Sequence, residues 1–233
     1  MPEGSVISDL HLFTHRSDGA HCADEIRQGL GESDFFVLNG DIFDFRWSTF
    51  PTLDETLDAA EAWLVEALTV NPACQVHYVM GNHDCPARFA VLLEELAQRA
   101  PNFNWHPSHV RIGSNLFLHG DLPISLRPCD PFHRTPGHIE RRKGKLLNLA
   151  YLALISTRLH RITDRLHSPT RCAQRIHQSL ASDRTGLAEG LTDIYFGHVH
   201  YIMRDFRCNG LSFHNTGSAV RHLKSKIIRV IAD

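Results

Sequence analysis

No two of the six cysteines (Cys22, Cys74, Cys85, Cys129, Cys172 and Cys208) have the C-x-x-C spacing of a zinc knuckle or a dithiol redox site. Thiols this scattered are those of a reduced, cytoplasmic protein. No apolar run approaches the roughly 18 residues of a membrane span, and Met1 to Asp9 has neither the basic start nor the apolar stretch of a secretory signal. A cytoplasmic chain is therefore expected, neither exported by that route nor membrane-spanning. Charge of one sign is lacking too: 24 Lys and Arg stand against 26 Asp and Glu, so no nucleic acid is expected as a partner. Internal repeats and low-complexity tracts are absent. What the chain has in excess is histidine, 17 of them.

At about 150 residues per domain, the 233 residues make one domain with room for an insertion. Short runs rich in Val, Ile and Phe predict strands at 5–8, 35–39, 76–80, 116–119, 194–197 and 227–232. Between them, Leu53 to Val70 repeats its apolar residues near every 3.6 positions, and Pro86 to Ala100 opens with proline as helices do. Alternating strands and helices predict an α/β fold. Gly113-Ser114-Asn115 and Cys208-Asn209-Gly210 read as hairpin loops, so the sheet pairing should be mixed. From about 122 to 190 no strand-like run occurs, and 12 Lys and Arg face only 5 Asp and Glu. This stretch reads as a basic helical insertion, with one long helix or two shorter ones over 139–166.

Five polar clusters follow predicted strands, where the loops of α/β sheets hold ligands. They are Ser8-Asp9-Leu10-His11, Gly40-Asp41-Ile42-Phe43-Asp44, Gly81-Asn82-His83-Asp84, His119-Gly120-Asp121 and Gly197-His198-Val199-His200. A single histidine at a strand end is usually a hydrogen-bonded structural residue. Five such clusters together offer the oxygen and imidazole donors that suit Mn, Fe or Zn. Arg16 and Arg46, close to the first two clusters, carry guanidinium forks that match phosphoryl oxygens and are candidate substrate contacts.

In this order D-x-H, G-D-x-x-D, G-N-H-D, H-G-D and G-H-x-H resemble the calcineurin-like metallophosphoesterase superfamily. The resemblance runs from Asp9 to His200. It implies a sandwich of two β-sheets flanked by helices in αββα layers, with two divalent metal ions at the strand ends. Asp9, His11 and His200 would hold one ion, Asn82, His119 and His198 the other, and Asp41 would bridge them. Water between the ions, acidified by both, would attack phosphorus in line, cleaving a phosphoester or pyrophosphate bond. His83 is implied to face the substrate and give a proton to the leaving oxygen or a hydrogen bond to the phosphoryl group. Asp84 is expected either to orient that imidazole and raise its pKa or to cap the helix opening at Pro86. Asp44 and Asp121 are expected to support the ligands rather than bind an ion.

Within the superfamily, the opening Ser8 to Leu12, the aromatic run Phe43 to Trp47 and the long insertion are most similar to the UDP-2,3-diacylglucosamine pyrophosphatase branch. That likeness implies a lipid-linked substrate, an insertion acting as a lid, and peripheral contact with a membrane. Two positions depart from the branch: His83 stands where it usually has Arg, and Leu122-Pro123-Ile124-Ser125 where it usually has Thr-Asp-Asp. As a lid, the insertion would turn Leu147, Tyr151, Leu154 and Ile155 toward the metal cleft and keep Arg141, Arg142, Lys143 and Lys145 at its rim. As plain structure, those cations form a solvated helix face. Two other readings are a catalytically silent scaffold, which typically loses ligands or the His83 equivalent, and a nuclease or phosphodiesterase acting on nucleotides, which would want a broad basic surface. Nothing in the five clusters is missing. His214 directly precedes an N-x-G-S turn, Asn215 to Ser218, similar to one that closes the site in many members, and the remaining histidines read as surface or hydrogen-bonded core.

Overall fold

Two five-stranded sheets face each other in the computed structural model, which describes residues 1–124, 132–135, 137, 143–144, 147–148, 150, 153 and 168–233. The first sheet takes β1 (Glu3–Ile7), β2 (Phe35–Asn39), β3 (Gln75–Val79), β4 (Phe103–His106) and, at its edge, β10 (Ile228–Ile231), in the order β10-β1-β2-β3-β4. The second takes β5 (His109–Ile112), β6 (Asn115–Leu118), β7 (Asp193–Phe196), β8 (Ile202–Cys208) and β9 (Leu211–Thr216), in the order β5-β6-β7-β9-β8. β1 to β4 run parallel and β10 antiparallel, while the two hairpins, β5–β6 and β8–β9, give the second sheet its antiparallel pairs. In the second sheet the mixed pairing follows from those two turns, and in the first from β10.

Strand side chains alternate between faces, and both faces of these sheets are covered. Val6, Val37, Val79, Val110, Phe117 and Tyr195 fill the seam between the sheets. On the outer side of the first sheet, Ile7, Phe36, Leu38 and Tyr78 pack against helices α1 (Ala23–Glu32), α2 (Leu53–Val70) and α3 (Ala87–Arg99). On the outer side of the second, Leu116, Leu118, Ile194, Phe196 and Phe213 pack against Cys172, Ala173, Ile176 and Leu180. Those four residues come from α5 (Pro169–Ser182), which follows the short α4 (Asp121–Ile124). The layers are αββα. Strands covered on both faces read as unbroken apolar runs, which is why Phe35–Asn39 is so legible.

Local chemistry sets the helix ends. Thr52 accepts from the Glu55 amide at 3.1 Å while its hydroxyl donates to the Glu55 carboxylate, a reciprocal cap that starts α2. α5 begins with Pro169 behind Ser168, which accepts from the Arg171 amide. Asn39, the last residue of β2, crosses the seam: its Nδ2 donates to the carbonyls of Leu118 and Tyr195, each at 3.1 Å. Apolar packing and this amide together hold the sheets in register beneath the strand ends.

The insertion of 122–190 divides in two. α5 is part of the core, with Ala173 and Ile176 fully buried. Most of 139–166 lies outside the described residues, and so do Arg141, Arg142, Lys145, Tyr151, Leu154 and Ile155. Leu147 is described and is 54 % exposed. Among the described residues no helix is long and apolar enough to cross a membrane. The five described cysteines are free thiols.

Candidate metal centre

All five polar clusters stand at the C-terminal ends of parallel strands, three from the first sheet and two from the second, and they meet at one edge of the sandwich. The chain turns inward there through an unusual backbone. Asp9, His11, Asp41, His198 and His200 all take positive φ, between 49 and 69°. Asp and His tolerate this region better than most residues, yet each such position costs on the order of 1 kcal/mol or more. The surrounding ladder fixes them: the Asp9 amide donates to Gly40 O at 3.0 Å, the His11 amide to Asp41 O at 2.9 Å, and the Gly197 amide to His119 O at 2.9 Å. At Gly81 and Gly197 a β-carbon would overlap the carboxylates of Asp41 and Asp9, so only glycine lets these loops pass so close.

Donor atoms gather in two groups. In the first, His200 Nε2 lies 3.2 Å from Asp9 Oδ1 and 3.2 Å from His11 Nε2. In the second, Asn82 Oδ1 lies 3.2 Å from His119 Nε2 and 3.1 Å from His198 Nδ1. Asp41 sits between them, its Oδ2 3.3 Å from His119 Nε2 and 3.8 Å from His11 Nε2. Asp9 with His11 and His200, and Asp9 with Asp41 and His119, each bring three donor atoms within 4.8 Å of one another.

This arrangement fits cations. Asp9, Asp41 and Asp44 are fully buried, and buried carboxylates need compensation. Burial opposes the charged form of His119, but Asp41 and Asp9 outweigh it and push its pKa up to about 10, so a proton on this imidazole serves as the local cation. Burial and Arg16 bring His11 down to about 3, and burial and the His119 charge bring His198 down to about 4, leaving both as neutral donors. A hard-oxygen and imidazole set of this kind suits Mn, Fe or Zn.

The structure corrects two expectations. Asp84 does not orient His83 and does not cap α3, whose first turn receives no side-chain bond from it. It is buried beneath the loop, accepting from Tyr78 Oη at 2.6 Å, the Gly81 amide at 2.5 Å and the Ile42 amide at 3.0 Å. Burial first, and then Asp41, push its pKa up to about 7. The residue that meets His83 is Asp44, with Oδ2 3.0 Å from His83 Nδ1. Burial disfavours a charged His83, yet Asp44 and Asp41 prevail and its pKa is raised. His83 itself keeps 18 % of its side chain exposed, so it faces the opening.

Arg16 is the second correction. Its guanidinium is only 5 % exposed and turns inward, with Nη2 2.5 Å from Asp44 Oδ2 and 3.0 Å from His11 Nδ1. It braces the ligand bed from behind. Arg46 is exposed on the loop after β2, where its carbonyl accepts from the Lys143 amide. Asp121 forms an ion pair with Arg134, tying the insertion to the end of β6. His214 pairs with Asp193 at 2.9 Å and stacks on Tyr195. Its neighbours support the site instead: Asn215 Nδ2 donates to Gly197 O and Ser218 Oγ to Asp9 O, both at 2.9 Å. Ser8, whose Oγ donates to Asp9 Oδ2 at 2.5 Å, was missed by sequence reasoning, although its place beside Asp9 was the available signal.

A two-sheet αββα sandwich whose strand ends gather carboxylates and imidazoles defines a metal-dependent hydrolase of phosphoesters. The chain belongs to the calcineurin-like phosphoesterase family, whose model matches residues 5–201. No curated protein matches it. Among solved structures it is similar to a phosphopantetheinyl hydrolase from Mycobacterium tuberculosis, at 14 % identity and a TM-score of 0.50, covering 100 % of this chain and 96 % of that one. A dimetal phosphatase from Danio rerio aligns at 12 % identity and a TM-score of 0.49, covering 100 % and 93 %. The first likeness shows the shared fold.

Proposed function

We propose that the chain hydrolyses a phosphoester or pyrophosphate bond of a phosphorylated small molecule with two divalent ions, one held by Asp9, His11 and His200 and the other by Asn82, His119 and His198, with Asp41 shared. The observation that carries this reading is the place of Asp41 between two donor groups, each built from both sheets. Bound Mn, Fe or Zn ions would acidify water and neutralise charge on the phosphoryl oxygens. The protein's own share is positional. Asp44 holds His83 by Nδ1, which leaves Nε2 to give a proton to the departing oxygen at the half-open face. Arg16, through Asp44 and His11, keeps both rings from turning.

The finer reading is a substrate of the UDP-2,3-diacylglucosamine type, with the insertion as lid. It is supported by where the insertion touches the core: Gly137 donates its amide to Cys85 O, and Lys143 to Arg46 O. Those contacts fall on the two loops that carry His83 and Asp41. Lys143 and exposed Arg46 thereby stand beside the cleft, where cations meet the second phosphate of a pyrophosphate. Peripheral membrane contact through 139–145 belongs to the same reading. The test is a hydrolysis panel with added Mn, covering p-nitrophenyl phosphate, its bis-ester, cyclic nucleotides and a UDP-sugar lipid. Turnover of the last alone supports the finer reading, and turnover of none sinks both.

A further inference from the structure

Between α1, α2 and the tight turn Gly19–Cys22 lies a cavity of about 490 Å3, and none of the expected metal ligands lines it. Its third side is Leu12 to Thr14, the chain that leaves His11. Leu12, Thr14, Ile26 and Leu30 are buried and form the floor, whereas Ala20, Ala23, Arg27 and Glu66 are exposed and form the mouth. The space is open because Gly19, Ala20, Ala23 and Ala67 are too short to fill it.

Two aromatic rings of the lining are fixed in advance. Phe13 stacks on Phe43 with ring centroids 5.3 Å apart and planes 9° apart, and Trp63 meets the same ring edge-on at 5.5 Å. A site that is already shaped loses less entropy on binding. The polar side chains, by contrast, are spent on the protein. Thr14 Oγ1 donates to His11 O at 2.9 Å, and Ser17 Oγ donates to Leu10 O at 2.6 Å while accepting from the Gly19 amide at 2.9 Å. At the mouth Arg27 Nη2 donates to Glu66 Oε1 at 3.0 Å, so each charge already has its counter-ion.

We propose that this cavity is a second binding site, which takes one uncharged molecule with an apolar body. An apolar cavity of about 150 Å3 holds one benzene, so roughly three times that space takes a chain of about eight to ten carbons. The apolar lining rewards such a body, and a buried charge would find no unspent partner there. Its polar end stays in the mouth, beside water. The occupant rests on Leu12 to Thr14 and, through Phe13 and Trp63, on Phe43, behind the loops that carry His11, Asp41 and Asp44.

The experiment is titration calorimetry of the Mn-loaded full chain with octan-1-ol and with octanoate, which share a chain length and differ in charge. One octan-1-ol per chain is the expected result, with octanoate at least about tenfold weaker. Ala20→Phe and Ala23→Phe place a ring in the mouth from exposed positions, and each should weaken octan-1-ol at least about tenfold. Unchanged octan-1-ol affinity in both variants overturns the site, because the alcohol then binds elsewhere. Octanoate binding as tightly as octan-1-ol, or no binding of either, overturns it equally. Should one variant fail to fold, the other decides.

Discussion

The two sheets bring different chemistry to one edge. From the first come the carboxylates nearest the donor groups, Asp9, Asp41 and Asp44, together with Asn82, His11 and His83; from the second come three imidazoles, His119, His198 and His200. The first sheet is thus the acidic half, and it carries its own brace in Arg16. The second offers His198, which burial keeps neutral, and His119, which is held charged by Asp41 and Asp9. Neither half has a balanced site. The sheets also differ in cover, since three helices lie on the first while α5 is the long described helix on the second.

The strongest test removes the one group that serves both halves. Asp41→Asn should lose both ions and at least about 10³-fold in hydrolysis, as metal analysis and initial rates will show. Retention of either ion would mean that its other donors, drawn from both sheets, suffice without Asp41. Next comes His83, which belongs to the first sheet and is proposed to act on the substrate, although its ring also lies within reach of the His11 and Asp41 donors. His83→Ala should keep its metal and lose roughly 10² to 10⁴ in kcat, the span of a positioned acid, and Asp44→Asn should lose less, about tenfold.

Cover is tested by two deletions. Replacing 138–167 with a short Gly/Ser linker should leave a folded enzyme active on a small aryl phosphate but not on a long amphipathic pyrophosphate. Removing all of 122–190 would strip Cys172, Ala173, Ile176 and Leu180 from the second sheet and give insoluble protein. Equal activity of the shorter deletion on both substrates would end the lid reading. A smaller effect is expected at the seam, where Asn39→Ala leaves two buried carbonyls without their donor and should cost about 1 to 3 kcal/mol in denaturant melts.

The smallest effect is one of pH. His106 is held down to about 4 by burial and by its histidine neighbours, against about 6.5 unfolded. A depressed histidine favours the fold while both states are neutral, so stability is full above about pH 6.5 and declines as pH falls toward 4. Partial exposure screens the effect to roughly 1 kcal/mol. His106→Gln should flatten that part of the stability profile, and an unchanged slope would assign it to other groups.

Much of this architecture is readable without coordinates, for reasons that differ by element. β2 and α2 end where the sequence predicts because an unbroken Phe-Phe-Val-Leu run stops at Asn39-Gly40, and because Thr52 and Glu55 form a reciprocal cap. α1 is hidden by Gly29 and Gly31 and by burying little more than Ile26 and Leu30. β4 is masked by Asn104 inside its four residues and His106 at its end. All seven expected ligands converge, since donor type and strand-end position are both sequence properties. What sequence order conceals is which neighbour a side chain meets: Asp84 adjoins His83 in the chain yet points under the loop, whereas Asp44, 39 positions away in numbering, reaches the ring. Arg16 is hidden in the same way, because a long side chain can fold back as readily as it reaches out.

Asn39 has a mechanical consequence. Two greasy faces can creep past one another in small steps, because apolar contact has no preferred notch. A single amide gripping two strands of the opposite sheet gives the seam a detent, since any sideways slip breaks both bonds together. The notch lies two residues from Asp41, and the Asn39 carbonyl meets His119 Nδ1 at 3.4 Å, so the gap between the two donor groups inherits its tolerance from the seam. The strand ends that carry the donors are thereby anchored by polar geometry and not by apolar contact alone.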